Sequence, residues 1–463
     1  MAREAGFAEP HGLRAAVKLA AKELPEFRER LLAWFSCRKR DLPWRRTKDP
    51  YRIWLAEVML QQTRVAAVLP YYRRFLRRFP TLRALARARA EQVLRRWAGL
   101  GYYSRARNLL RTAKVLEARH QGRFPREMEA ALRLPGIGHY TAAAVLSMAY
   151  GAPYAVLDGN VARVLARQEA LRGDLRAPRR WRQLEGLAEN LLAHEAPGDW
   201  NQAMMELGAT VCTPRAPHCS VCPVSRWCRA YRLGMARSLP TARKKRPSVR
   251  VQIAAAVLLD PRGRTLLVKD TEGHDGALFS RLWQFPALDV SRLPTDELAR
   301  YLHSLVGKDS GDPRPLPSAR HLVTFREVTL APYLVRVARL PKVRGARTPP
   351  LAKLDRLPIS NATCKIAAIA LRHASGQPGS SESLDGGGVI RFARRSRPAR
   401  SRVLEFPQCH AAERSPERDV SHGTASLLRD FAIPSTPHEP LDLGLDRQAR
   451  PRFGHRAARR ARR

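Results

Sequence analysis

No stretch of the 463 residues is apolar for long enough to cross a membrane as a helix, which takes about 20 consecutive residues. A membrane partner is therefore not expected. The first residues, MAREAGFAEPHGLRAAVKLAAKEL, lack the apolar core of a signal peptide and contain acids, unlike a transit peptide. The expectation is a soluble intracellular protein, cytoplasmic and nucleoid-associated. Cysteine is scarce, seven in all, and four fall between Cys212 and Cys228 while Cys37, Cys364 and Cys409 stand alone. An odd, clustered set excludes a disulfide framework and points to a reducing compartment and a metal site. Acids are scarce too: 41 Asp+Glu face 84 Lys+Arg, a net charge of +43. A single basic run is usually a solvated face, but an excess across the whole chain fits a nucleic-acid partner.

Strand patterns are missing from the first half. From Leu24 to about Leu233 the periodicity is helical, with breaks at Pro70, Phe79-Pro80, Gly99–Gly101, Gly122 and Leu134-Pro135-Gly136. Asp49-Pro50 reads as an N-cap and first helical position. The expected organisation is an all-α domain over 24–235 and a basic linker over 236–250. A small α+β domain over 251–372 and a basic, disordered tail over 373–463 follow. In the α+β domain, Val251–Leu259, the turn Asp260-Pro261-Arg262-Gly263 and Thr265–Lys269 read as a hairpin. A helix over Asp296–Val306 and strands over Val328–Leu340 follow. The tail is a non-specific DNA tether or a segment without function.

Cys212, Cys219, Cys222 and Cys228 follow C-x6-C-x2-C-x5-C, four thiols within seventeen residues. Such a set binds zinc or a [4Fe–4S] cluster. Only one pair is short, and the wider loops suit the cube. Arg215, His218, Arg226 and Arg229 place cations around this loop, suited to phosphate contact. Leu134-Pro135-Gly136-Ile137-Gly138 lies between helical segments. Such glycine turns expose N–H groups at a helix start, where a phosphate can bind. Asp158-Gly159-Asn160 follows a further alanine-rich helix, and the plainer reading of Asp158 is an N-cap. Glu57 sits between Trp54 and Leu60 at helical spacing, so it shares a face with core residues. Burial raises a carboxyl pKa towards neutrality, where a general acid works.

These blocks together resemble the helix-hairpin-helix glycosylase superfamily of endonuclease III. The match is closest to MutY-type adenine glycosylases. It also takes in Leu42–Arg45 and Trp200–Ala209, and covers roughly Leu24 to Arg372. The cysteine spacing is that of the family, which implies a [4Fe–4S] cluster with a structural, DNA-positioning role. The resemblance implies Asp158 as the essential carboxylate facing the sugar, Glu57 as the acid that protonates adenine, and Asn160 orienting water or a carboxylate. Members that also cut the strand carry a lysine where this chain has Tyr140. Tyrosine cannot form a Schiff base, so a monofunctional enzyme is expected. Tyr140 would hydrogen-bond near Asp158 or the leaving base, or pack as a buried aromatic. The target base must be flipped from the duplex. Gln62, Leu100 and Tyr102 match the family's intercalating segments, Arg105 and Arg107 would meet phosphates, and Pro135, Gly136 and Gly138 form the DNA-binding hairpin.

Leu282-Trp283-Gln284-Phe285-Pro286 resembles the Nudix-related module that inspects the base opposite adenine. The catalytic Nudix box is missing, so pyrophosphatase activity is not expected. The opposite-base element keeps Thr324 but has Val323 and Phe325 where the family has an aromatic and a histidine, which weakens preference for 8-oxoguanine. The expected partner is double-stranded DNA with adenine opposite 8-oxoguanine or guanine, bound by a monomer. The rivals are an endonuclease III-like enzyme acting on oxidised pyrimidines and a non-catalytic iron–sulfur DNA-binding protein.

Overall fold

The computed structural model describes residues 21–241, 247–269, 282–290, 300–301, 303–304, 312–323 and 325–374. The N-terminal twenty residues, most of the helix expected over Asp296–Val306, Thr324 and nearly all of the basic tail lie outside these.

Residues 21–241 are helical. The elements are α1 (Leu24–Arg38), α2 (Pro50–Leu60), α3 (Val65–Arg78), α4 (Leu82–Ala86), α5 (Ala90–Trp97), α6 (Tyr103–Arg119), α7 (Met128–Leu132), α8 (His139–Tyr150), α9 (Gly159–Gln168), α10 (Pro178–Leu191), α11 (Pro197–Thr210) and α12 (Arg229–Arg232). α2 starts as the sequence predicts: Asp49 accepts the Tyr51 N–H and Pro50 takes the first position. Pro70 does not break its helix. α3 runs through it, because the buried face of Val68, Tyr71, Tyr72 and Phe75 offsets one lost backbone bond. α8 is apolar almost all round and fully buried from Ala142 to Leu146, as expected of a helix enclosed by others. Around it and α2 packs one core, with Trp54, Phe75 and Trp97 among its largest members. A second core joins α1, α9, α10 and α11 through Phe27, Leu165 and Trp200.

The second domain is built on β1 (Val249–Leu259), β2 (Val268–Lys269), β3 (Trp283–Gln284), β4 (Ala287–Asp289), β5 (Arg314–Pro315), β6 (Ala319–Val323) and β7 (Arg326–Arg336). β1 begins two residues before the expected linker ends, because the Val249 N–H reaches the Phe325 carbonyl. The expected hairpin is not formed. Its turn closes, with Asp260 N–H on the Arg264 carbonyl at 3.0 Å, but only Leu259 and Thr265 then pair. Leu267 turns to Arg347, and β2 pairs β3. β1 instead lies between antiparallel β4 and parallel β7, in register with β7 from Val249↔Arg326 to Leu259↔Arg336. Its apolar stretch Ile253–Leu259, buried from Ala254 onward, suits a strand covered on both faces rather than a hairpin arm. β6 joins the other edge of β7, with Val323 opposite Arg326 at the end of the ladder. α13 (Asn361–Ala374) covers the sheet, packing on β1, β6 and β7. The sequence analysis missed it, although Ala362, Ile366, Ala367 and Ala370 bury one helical stripe.

Candidate active site and DNA-facing surface

Glu57 lies on the buried face of α2 and is 4 % exposed. The hydroxyl of Tyr140, in the first turn of α8, donates to its Oε2 at 2.7 Å and also reaches Met205 Sδ at 3.5 Å. Tyr140 therefore bonds to Glu57, not to Asp158. Burial pushes the Glu57 carboxyl up, the Tyr140 hydrogen bond pulls it down, the Asp158 charge raises it and the Arg45 charge lowers it; the outcome is about 7.

Asp158 caps α9. Its Oδ1 accepts the N–H groups of Asn160 (2.9 Å) and Val161 (2.7 Å), and its Oδ2 accepts Asn160 Nδ2 at 2.9 Å. Burial raises the Asp158 carboxyl against these bonds. Asn160 Oδ1 accepts Arg163 Nη2 at 2.9 Å. A side chain at Gly208 would meet Asn160 Cβ at 2.7 Å, so α11 sits against the start of α9 only because Gly208 has none. One carboxyl poised to hold a proton near neutrality thus stands in the field of a second, fixed by three donors.

A cavity of about 270 Å³ opens beside α2, lined by Trp54, Gln62, Tyr102, Asn108, Pro135 and Gly136 among others. Gln62 (φ 55°) and Tyr102 (φ 49°) are exposed and left-handed, an unfavourable conformation for side chains of this size. Both line this cavity. Leu100 does not: it is buried in the core, because the glycines on either side turn the backbone outwards and its side chain inwards. Arg105 is not a phosphate contact either. Its guanidinium is buried and donates to the carbonyls of Val58 (2.9 Å), Met59 (2.8 Å), Gln61 (2.5 Å) and Gly101 (3.3 Å) and to Thr63 Oγ1. It closes the C-terminal end of α2, and burial lowers it to about 10.

In the hairpin, Gly136 has φ 75°, and a Cβ there would lie 2.6 Å from Asn108 Nδ2. Gly138 precedes α8, whose first turn leaves N–H groups without helical partners, as a phosphate site requires. Gly136→Ala is expected to destabilise by about 1–3 kcal/mol, read as a lowered melting temperature. Gly138→Ala meets nothing within 4 Å and should melt like the wild type.

Cys212, Cys219, Cys222 and Cys228 line one small cavity and form no disulfides. Among the described residues no group of His, Cys, Asp or Glu side chains could hold one metal ion. Arg167 donates to Cys212 Sγ at 3.2 Å, and backbone N–H groups face the sulfurs of Cys222 and Cys228, donors of the kind that support cluster thiolates. Arg215, His218 and Arg229 are exposed on this loop as expected. Arg226 also pairs with Glu26 at 3.1 Å.

Sequence reasoning missed Glu206, fully buried in α11. Arg40 grips it through Nε (2.8 Å) and Nη2 (2.7 Å), and Arg45 through Nη2 (2.8 Å). Burial raises its carboxyl, but these bonds outweigh burial and hold it at about 2. The signal was the one used for Glu57, an acid inside an apolar helical stretch. Phe325 occupies the β6–β7 turn beneath the Arg326 guanidinium, 5.6 Å from its ring.

Residues 55–211 match the family described as the HhH-GPD superfamily of base excision DNA repair proteins. The adenine DNA glycosylase of Homo sapiens is 49 % identical over 217 residues, which cover 45 % of this chain and 40 % of that protein. That of Buchnera aphidicola (subsp. Schizaphis graminum) is 33 % identical over 265 residues, 57 % of this chain and 75 % of that one. A thermostable thymine-DNA glycosylase of known structure is 31 % identical, with a TM-score of 0.43 covering 46 % of this chain and 98 % of that one. The chain spans about two fifths of the human and mouse proteins it matches. With a relative above 30 % identity matched over three quarters of its length, the chain belongs to the adenine DNA glycosylase family, within the helix-hairpin-helix superfamily of base-excision repair proteins.

Proposed function

We propose that this chain is a monofunctional adenine DNA glycosylase that hydrolyses the N-glycosidic bond of adenine opposite 8-oxoguanine or guanine in double-stranded DNA. The observation that carries this is the pair of carboxyls: Glu57 titrating near 7 and hydrogen-bonded to Tyr140, with Asp158 held by Asn160 and Val161. Glu57 protonates the departing adenine. Asp158, ionised, stabilises the positive charge that grows on the sugar, as paired carboxylates do in glycoside hydrolysis. Asn160 fixes the Asp158 carboxylate, and Tyr140 orients Glu57. With tyrosine at 140 no amine attacks the sugar, so the abasic strand stays intact.

Gln62 and Tyr102 fill the stack vacated by the flipped base, and the Pro135–Gly138 hairpin holds a backbone phosphate. The second domain, whose Trp283–Pro286 segment is Nudix-like, reads the opposite base through Thr324 and Phe325. The four cysteines hold a [4Fe–4S] cluster that keeps the 213–227 loop rigid. The enzyme works as a monomer inside the cell, where the DNA is.

The pH profile tests the acid. Excision requires Glu57 protonated and Asp158 ionised, so the rate should fall about tenfold per pH unit above pH 7 and fall again on the acid side as Asp158 takes up a proton. A single-turnover rate that stays flat from pH 6 to 9 contradicts the role of Glu57.

A further inference from the structure

The turn that presents Tyr102 has a left-handed backbone whose polar groups are held by side chains from both domains. Gly99 (φ 94°), Gly101 (φ 77°) and Tyr102 are all left-handed. Within the first domain the turn is fixed by Trp97 Nε1 and Arg105 Nη2, both on the Gly101 carbonyl at 3.0 and 3.3 Å. Its other end is held by the second domain. Asn361 Nδ2 donates to the Gly99 carbonyl at 3.0 Å. The Gly99 N–H donates to Tyr103 Oη at 3.2 Å, and that hydroxyl donates onward to the Ile359 carbonyl at 3.1 Å. Both polar groups of Gly99 are thus bound to residues 359–361, one directly and one through Tyr103. A Cβ at Gly99 would lie 2.3 Å from the Tyr71 hydroxyl, so a side chain there would force Tyr71 to move.

Residues 359–361 are in turn tied to the sheet. Ile359 pairs with Trp283, and the Trp283 N–H binds the Pro358 carbonyl. Ser360 caps α13 by accepting the Thr363 N–H at 3.0 Å. One helical turn along, Lys365 Nζ donates to the Arg320 carbonyl of β6 at 2.7 Å. β6 ends at Val323, which pairs with Arg326 next to Phe325. A hydrogen-bonded path therefore runs from β6 through α13 to the backbone beneath Tyr102.

We propose that Tyr103 and Asn361 are positioning residues that couple the second domain to the Tyr102 turn, so that the domain reading the opposite base controls insertion of the side chain that flips adenine. This rests on the proposed glycosylase reading and adds to it a route for opposite-base specificity within the protein. Neither residue touches the reacting atoms. Both act through the Gly99 backbone.

The test uses the full chain, with Tyr103→Phe, Asn361→Ala and the double variant. Two readouts are needed. The first is single-turnover excision of adenine opposite 8-oxoguanine and opposite guanine. The second is fluorescence of 2-aminopurine placed in the adenine position, which reports unstacking without chemistry. The ratio between the two opposite bases should shrink about fivefold or more in each readout, and the double variant should lose no more of that ratio than the stronger single one. A merely structural role would lower both duplexes equally and leave the ratios unchanged, which overturns the proposal. Should the wild type excise neither duplex, the glycosylase reading fails, yet the 2-aminopurine ratios still decide whether the second domain governs the turn.

Discussion

Glu57→Gln should slow adenine excision by about 10²–10⁴-fold without weakening duplex binding. The substitution preserves shape and the acceptor for Tyr140 but removes the proton that the leaving base needs. It should also change stability in the opposite sense. The folded protein holds the Glu57 proton up to about pH 7, while an unfolded chain releases it near the ordinary 4.5. Between those values ionisation favours the unfolded state by about 1.4 kcal/mol per pH unit. The neutral glutamine escapes this penalty, so the variant should gain in melting temperature over wild type as pH rises from 4.5 to 7, and the gain should level off above 7. Loss of excision together with such a gain is the signature of a group kept for chemistry at a cost in stability. Equal excision by both proteins would remove Glu57 from the mechanism.

The second large effect concerns Glu206, which has no place in the chemistry. Its carboxylate is fully buried and takes four hydrogen bonds from two arginines, one of them from the Arg40 backbone N–H at 3.0 Å. Replacing it with alanine leaves Arg45 facing a buried gap and Arg40 without its partner. Breaking such a pair costs about 3–5 kcal/mol, which urea titration at pH 7 would read directly. The pH dependence runs opposite to that of Glu57. The folded carboxyl sits at about 2 against an ordinary 4.5, so its contribution is complete above about pH 4.5 and is lost as pH falls towards 2. The gap between wild type and Glu206→Gln should close over that range. A gap that persists unchanged at pH 2 would mean the loss is packing, not the ion pairs. Because α11 also carries Gly208 against Asn160, a loosened Glu206 should disturb the Asp158 end of the site as well.

The helical half was legible because its signals are local. Asp49-Pro50 starts α2, glycines mark the turns at 99–101, 122 and 136, and the apolar stripe runs at helical spacing around Glu57. The cysteine loop and the Asp158 cap were readable for the same reason. Side-chain direction was not. Leu100 and Tyr102 are two residues apart in one turn, yet one enters the core and the other faces solvent, a choice made by the backbone twist at Gly99 and Gly101. Arg105 looked like a phosphate contact because sequence does not show that α2 ends with carbonyls needing a donor. Tyr140 finds Glu57 only because α2 and α8 pack together, a contact 83 residues apart in the chain. In the second domain, β1 pairs with β7, 77 residues later (Val249 with Arg326), while the nearer Thr265–Lys269 segment offered a plausible but wrong match. Non-local pairing is set by which faces must be buried, and that is decided after the whole sheet forms.

If Glu57 and Asp158 act as proposed and Tyr140 supplies no amine, adenine leaves by hydrolysis and the strand stays intact. A single-turnover assay on duplexes with adenine opposite 8-oxoguanine or guanine, each read with and without alkali, tests it most directly. Strand breakage is expected only after alkali, on both duplexes. Breakage without alkali would contradict the inference drawn from Tyr140, and intact strands after alkali on both duplexes would contradict the assignment of adenine as the substrate.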